Sequence, residues 1–408
     1  MRLLRLRLFF AMLAIAASAA QAKPLVKTGD RVVFLGDSIT EQRQYTRDVM
    51  DFFTLRYPDA RVSFRNAGWS GDTAPGGLNR LQRDVLSLKP DVVTICFGMN
   101  DGGYGPLNPD LYQRFIGGME GLVTSLKKAG VKVVLLTPGA VDTDFMTDLA
   151  VKPIRDAYNA NLAEEARGET ALAAKENVPL TNIHTLMVDV QTRAKAEDPK
   201  FTMIPDSVHP SPPGHVVMAY GLLKALGCDE QPSGLSIDAS AKKAKADRCR
   251  VTDAKFAPAE ISFTRTDEAL PAYFSPEAEV VFHYLSIVEE LNNYAFRVTG
   301  LKGGNWRLSV EKMDVGVFTA ETLARGVNLA LKPGPWRTLG QKVYTLSTKQ
   351  EDLYFNRWRN VSLATPKAGE EAAQKAELAR LDKEIEAAEQ ARLVAAKDRT
   401  WRWTLTRE

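Results

Sequence analysis

Four short stretches carry residue types suited to attack on a carbonyl carbon. VVFLGDSITE (32–41) runs an apolar segment into Gly36, Asp37 and Ser38. NAGWSGDT (66–73) holds Trp69 and Gly71, and FGMNDGGYG (97–105) holds Asn100, Asp101 and Tyr104. PDSVHPSPPGH (205–215) holds Asp206 and His209. A serine hydroxyl becomes a nucleophile when a neighbouring base takes its proton, and histidine changes charge near neutrality. Asp206, three residues before His209, suits the other imidazole nitrogen, where a carboxylate fixes the tautomer and stabilises the imidazolium. Attack creates an oxyanion that needs donors arranged in advance. The backbone N–H groups of Ser38 and Gly71 and the Asn100 amide suit that role. Each stretch alone also reads as turn chemistry. Asp and Ser are preferred helix N-caps, which leaves Asp37 as a cap beside the nucleophile. Asp101 can brace the Asn100 loop, and Trp69 and Tyr104 either face a substrate or pack their own loops.

The elements around these stretches alternate. Strand-like runs are RVVFLG, RVSFRNAG, DVVTICFG, VKVVLLTP and the weaker NVPLTNI. Helical stretches are expected at about 43–57, 77–88, 109–129 and 152–176, with a closing helix from Gly214 to Leu226. Alternating strand and helix predict a parallel sheet in an α/β domain. The strands are apolar almost throughout, as when helices cover both faces. The first three chemistry-bearing stretches then lie at the carboxyl ends of parallel strands, where open α/β sheets place their ligands.

In this order, the four stretches resemble the SGNH or GDSL-type esterases and lipases. That family's GDS block is Gly36-Asp37-Ser38, its second-block glycine matches Gly71, its GxND block is Gly98-Met99-Asn100-Asp101, and its DxxH block is Asp206-Ser207-Val208-His209. GDSIT departs from GDSL in the last position. The resemblance covers about residues 30–227. It implies a flavodoxin-like three-layer α/β/α fold and serine ester hydrolysis without a cofactor. Ser38, Asp206 and His209 are then catalytic, and Ser38, Gly71 and Asn100 form the oxyanion hole. By analogy the substrate is an O-acyl ester, first of all O-acetyl on a carbohydrate. The alternatives are a short-chain lipid ester or lysophospholipid, or a carbohydrate- or envelope-binding protein with a vestigial hydrolase domain. No metal is expected: His184 and His215 come without HExxH or a cysteine cluster.

Beyond Cys228 the pattern changes. A polar linker is expected at 229–249 and a smaller α+β accessory domain at 250–408, against 23–228 for the catalytic domain. Within the accessory domain, SPEAEVVFHYLSIVEELNN has helical spacing, which packs His283 inside. A hairpin is expected around Gly303-Gly304, then a helical hairpin over about 336–362 and 367–396 and a last strand in TWRWTLT. Trp336, Trp358, Trp401 and Trp403 read as packing residues. Cys228 and Cys249 are either a bridge or two thiols, and Cys96 is a buried thiol in an apolar run.

Residues 1–22 have a basic start, an apolar stretch and Ala20-Gln21-Ala22, the pattern of a cleaved signal peptide. Its apolar run is shorter than a bilayer span, so no stable span is expected after cleavage and the chain is expected to be periplasmic or secreted. The formal net charge of +3 comes from 53 basic and 50 acidic residues. Arg2, Arg5 and Arg7 leave with the leader, so the rest balances at zero and offers no field favouring nucleic acid. Nothing in the sequence sets the oligomeric state.

Overall fold

A computed structural model describes residues 24–144, 146 and 152–408. The expected leader, 1–22, lies outside the described residues.

The first unit runs β1 (Arg31–Gly36), α1 (Ser38–Glu41), α2 (Gln44–Arg56), β2 (Ser63–Gly68), α3 (Ala74–Asp84), β3 (Val92–Cys96) and α4 (Pro109–Lys128). It continues with β4 (Lys132–Leu136), α5 (Lys152–Asp156), α6 (Tyr158–Glu176), β5 (Leu180–Thr181), α7 (Ile183–Glu197) and α8 (Pro212–Ala225). The five strands are parallel in the order β2-β1-β3-β4-β5, a flavodoxin-like sheet. Alternation along β1 shows the three layers. Val32 and Phe34 join a core with Val49 of α2 and Val217 and Leu222 of α8. Val33 and Leu35 join another with Leu81 of α3 and Met119 and Leu122 of α4. Successive side chains point to opposite faces, so an all-apolar strand needs both covers. Helix α3 starts three residues before the expected 77, because the Thr73 hydroxyl caps it by accepting from Gly76 N–H at 3.3 Å and Pro75 opens the first turn.

The second unit contains β6 (Gly234–Asp238), β7 (Lys243–Asp247), β8 (Cys249–Ala257), β9 (Glu260–Asp267), α9 (Ile287–Glu290) and β10 (Ala295–Thr299). After these come β11 (Asn305–Val310), β12 (Met313–Thr319), α10 (Ala320–Arg325), β13 (Val327–Asn328), α11 (Pro335–Phe355), α12 (Glu371–Ala395) and β14 (Thr400–Arg407). Two sheets, β13-β10-β6-β7 and β12-β11-β14-β9-β8, share one core. Trp403 stacks on Trp336 at 5.6 Å and on Phe263 at 5.9 Å inside it. Trp358 and Trp401 are buried too. Helices α11 and α12 form the expected helical hairpin, which lies against the first unit.

Several expectations for this half are corrected. Residues 229–249 are not a linker: β6 and β7 pair antiparallel there, and their small polar residues suit an edge ribbon. The expected helix over the SPEAEVVFH stretch is a 3-10 segment, Pro276–His283, followed by the single turn α9, and His283 is exposed. No hairpin turns at Gly303-Gly304, since β10 and β11 belong to different sheets. The tight turn joins β11 to β12 at Glu311 and Lys312, both left-handed at φ 53° and 80°. Cys96, Cys228 and Cys249 are free thiols. Cys249 Sγ donates to the Gly234 carbonyl at 3.2 Å.

The two units interlock. Leu55, at the end of α2, is buried in the sandwich core. Arg56 beside it is buried and donates to the carbonyls of Leu270 at 3.3 Å and Leu291 at 2.8 Å, and also to that of Glu230. From the hairpin, Ser347 donates to Asp51, Arg392 reaches the Thr54 hydroxyl, and Asp352 pairs with Arg43 at 3.1 Å.

Candidate active site

Strand β1 delivers the serine. Its last residue, Gly36, leaves no room for a side chain: a Cβ would lie 2.6 Å from the Cys96 carbonyl on the next strand. The chain turns at Asp37, whose carboxylate accepts from Ile39 N–H at 2.9 Å and caps α1. Asp37 is therefore the cap, and Ser38 stands at the carboxyl end of β1 as the first residue of α1.

His209 Nε2 lies 2.9 Å from Ser38 Oγ, and its Nδ1 lies 2.7 Å from Asp206 Oδ2. The other carboxylate oxygen of Asp206 accepts from the N–H groups of Val208 at 3.0 Å and His209 at 2.6 Å. This tight loop turns through Ser207 at φ 73°. Burial alone would raise the Asp206 pKa, but the His209 and Val208 N–H bonds and the imidazole together bring it below the usual carboxylate range. The carboxylate stays ionised, as a partner for imidazolium must.

The loop after β2 brings Gly71 to the same end of the sheet. Gly71 has φ 75°, a left-handed conformation, with open space where a Cβ would stand, so backbone conformation rather than crowding calls for glycine. Its turn is fixed by Trp69 N–H on the Gly36 carbonyl at 3.0 Å, Asp72 N–H on the Trp69 carbonyl at 3.0 Å, and Ser70 N–H on the Glu41 carboxylate. Arg80 braces it from below, donating to Asp72 Oδ2 at 2.7 Å and to the Ala67 carbonyl at 2.8 Å.

Asn100, after β3, donates its amide to the Asp72 carbonyl at 2.9 Å and accepts the Tyr104 hydroxyl at 2.5 Å. One amide hydrogen is thus held and the other stays available, with its plane set by Tyr104. Tyr104 is half-buried, with Arg155 over its ring at 4.3 Å. Asp101 is buried and accepts from Ala74 N–H at 2.9 Å and Gly98 N–H at 3.0 Å, so it braces two loops at once. Trp69 is packed by Arg359 and Trp358 of the second unit. Burial, aided by the neighbouring Asp101 and Asp72 charges, pushes Asp37 up to about 7; burial pushes Asp101 up to about 6.

His215 lies in the same region without joining the chain of bonds. Its Nε2 meets Gln42 Oε1 at 2.7 Å, it stacks on Tyr45, and burial pushes its pKa down to about 3. Among the described residues no cluster of three histidine, cysteine or carboxylate side chains could hold a metal ion. No described helix is long and apolar enough to cross a membrane. The supporting residues Glu41, Asp72, Arg80 and Arg359 escaped the sequence reading. Glu41 ends the VVFLGDSITE stretch and Asp72 directly follows Gly71; Asp72, next to the glycine, was the one with a usable signal.

Residues 34–217 match the GDSL-like lipase/acylhydrolase family model. The α/β unit belongs to that family. An acetylxylan esterase of Geobacillus stearothermophilus is 24% identical over 228 residues, covering 50% of this chain and 96% of that protein. The solved structure of a gut microbial diltiazem-metabolizing enzyme, 25% identical, superposes over 95% of this chain and 99% of its own with a TM-score of 0.82. The two-unit architecture therefore recurs in another protein, while the acetylxylan esterase matches only half of this chain.

Proposed function

We propose that the protein is an exported serine esterase that removes short O-acyl groups, acetyl foremost, from carbohydrate. The observation that carries the reading is the continuous chain Ser38 Oγ–His209 Nε2–His209 Nδ1–Asp206 Oδ2, with spacings of 2.9 and 2.7 Å. Ser38 Oγ attacks the ester carbonyl carbon while His209 Nε2 takes its proton. Negative charge develops on the carbonyl oxygen. The Ser38 N–H, an orphan donor at the first position of α1, the Gly71 N–H and the second Asn100 amide hydrogen supply its bonds. The tetrahedral intermediate collapses, the C–O bond to the alcohol breaks, and His209 gives its proton to the departing oxygen. Water then attacks the acyl-serine, with His209 again as base, and the free acid leaves.

Support for ester hydrolysis comes from the family. Support for acetyl and carbohydrate comes from the acetylxylan esterase relative, and support for export from the leader-like residues 1–22. A second reading, esters of drug-sized non-carbohydrate alcohols, is favoured by the overall likeness to the diltiazem-metabolizing enzyme. The test is acid release from acetylated xylooligosaccharides, a small aryl acetate and diltiazem, by wild type and Ser38→Ala. Acetate from the oligosaccharides that disappears in Ser38→Ala supports the first reading. Turnover of diltiazem alone selects the second, and a fully active Ser38→Ala enzyme defeats both. Mass analysis of the processed amino terminus from an export-competent host tests cleavage after Ala22.

A further inference from the structure

The helical hairpin of the second unit reaches the chemistry through Trp358, which packs on Trp69, and through the charged side chain of Arg359. Past the end of α11 the chain continues as a π-helical segment, Asn356–Ser362, a type of distortion frequent at functional sites. Arg359 projects from it. Its guanidinium carbon stands 3.6 Å from the centre of the Trp69 ring, and its Nη2 lies 3.8 Å from Glu41 Oε1. Glu41 ends α1, the helix that Ser38 begins, and its other oxygen accepts the Ser70 N–H. One side chain from the accessory unit therefore touches the helix of the serine and the loop of Gly71 together.

Arg359 is badly placed for a purely stabilising job. The side chain is only 18% exposed, and its Nη1 is buried with no hydrogen-bond partner among the described residues. A buried charge without full hydrogen bonding costs stability, and an apolar side chain of the same volume would usually serve packing better. What an apolar side chain cannot do is attract the Glu41 carboxylate and the Trp69 ring face from one planar group. We propose that Arg359 is a positioning residue for the oxyanion loop, holding Trp69 and Glu41 so that the Gly71 N–H keeps its station relative to Ser38. This inference rests on the serine-esterase reading above. It also means that the catalytic unit is not complete without residues of the second half.

The experiment compares Arg359→Met, Arg359→Lys and Arg357→Ala in the full chain on a small aryl acetate, with Ser38→Ala alongside. Arg357 lies on the same segment and pairs with Asp382 at 2.5 Å, away from the loop, so Arg357→Ala should keep wild-type kcat. For Arg359→Met the expectation is a fall of about 10-fold in kcat with KM within about twofold and an unchanged or higher Tm, since an oxyanion bond counts only in the transition state. The rate of inactivation by a serine-directed phosphonate, whose P–O oxygen needs the same donors, should fall in parallel. Arg359→Lys keeps the charge without the planar stack and should recover only part of the loss. If Arg359→Met does not fold, Glu41→Gln probes the same linkage from the other side, with an expected loss of about threefold in kcat. Wild-type kcat in Arg359→Met, or in Glu41→Gln where the former does not fold, would overturn the inference, as would an equal fall in Arg357→Ala. An active Ser38→Ala enzyme would instead overturn the esterase reading itself.

Discussion

The two halves of the chain solve the same packing problem with opposite consequences for their strand ends. In the α/β unit the strands are parallel, so their carboxyl ends lie together and each must turn away into a helix. The turns after β1, β2 and β3 are where Ser38, Gly71 and Asn100 stand. In the sandwich most neighbours are antiparallel, and β11 and β12, for example, are closed by a two-residue turn. Its polar side chains serve the interior: Arg265 and Asp267 pair at 2.7 Å and are both fully buried, and Tyr294 donates to the same aspartate at 2.8 Å. A parallel sheet with long returns gathers polar groups at one edge, whereas an antiparallel one spends its connections on local turns. The same chain thus has one half that converges functional groups and one that buries aromatic mass and lends arginines, Arg392 at Thr54 and Arg359 at Glu41, to its neighbour.

The contrast is broken most severely at the serine. Ser38→Ala should lower kcat/KM by about 10⁴-fold or more while leaving Tm nearly unchanged, because the half-buried hydroxyl is bonded to His209 and the change removes one oxygen atom. Steady-state kinetics beside a thermal melt checks this, and retention of a large share of the activity in a folded variant would remove the nucleophile. Asn100→Ala comes next, with a fall of about 10²–10³-fold in kcat and little change in KM. A rise in KM alone would make Asn100 a ground-state contact.

Trp403 tests the other half. It is fully buried between Trp336 and Phe263, so Trp403→Ala should cost about 3–5 kcal/mol of stability while kcat per folded molecule stays at wild type. Denaturant unfolding with active-site titration separates the two. A kcat that falls with stability would mean the sandwich shapes the site directly. Cutting the chain at Cys228 is expected to give insoluble protein. Leu55 would lose its surrounding core, and Arg56 would be left with its carbonyl partners at Glu230, Leu270 and Leu291 gone.

The contrast also explains what could be read in advance. Most of the α/β half was legible because each strand, turn and helix is contiguous, and the site residues lie in four unbroken stretches; helix α7 (Ile183–Glu197) was not expected. Helices α11 and α12 and strand β14 were legible for the same reason: their patterns are local. Strand pairing in the sandwich was not. Strand β6 lies parallel to β10, about 60 residues later, and β14 inserts between β11 and β9. Nothing local marks such partners. Gly303-Gly304 misled because two glycines are a stronger turn signal than Glu311-Lys312, which takes the left-handed conformations at a cost. At the site, Glu41 and Arg359 were invisible because a lone charge on a helix reads as a solvated face until its partner from the other half is known.

The smallest expected effect concerns a carboxyl beneath the Asn100 loop. Glu165 of α6 is fully buried, both of its oxygens lack a hydrogen-bond partner among the described residues, and a Cβ on Gly98 would stand 2.8 Å from one of them. Burial, with the Asp101 charge adding to it, pushes its pKa up to about 9. Glu169, one turn on, is raised by burial as well. An unfolded glutamate ionises near pH 4.3, so between that value and about 9 the folded chain binds the extra proton. Stability must then fall as pH rises through this window and level off above it. Glu165→Gln has the shape of the protonated acid and no proton to lose. Its Tm relative to wild type should therefore climb steadily from pH 5 to pH 9, while other buried carboxyls, such as Asp37 at about 7 and Glu351 at about 8, affect both proteins alike. At pH 7 its kcat should match wild type within about twofold, since the carboxyl is neutral there in either protein. Melting curves of the two proteins across that range decide the matter. Curves that run parallel would mean that Glu165 is ionised in the folded state, with a counter-charge or water reaching beneath the loop.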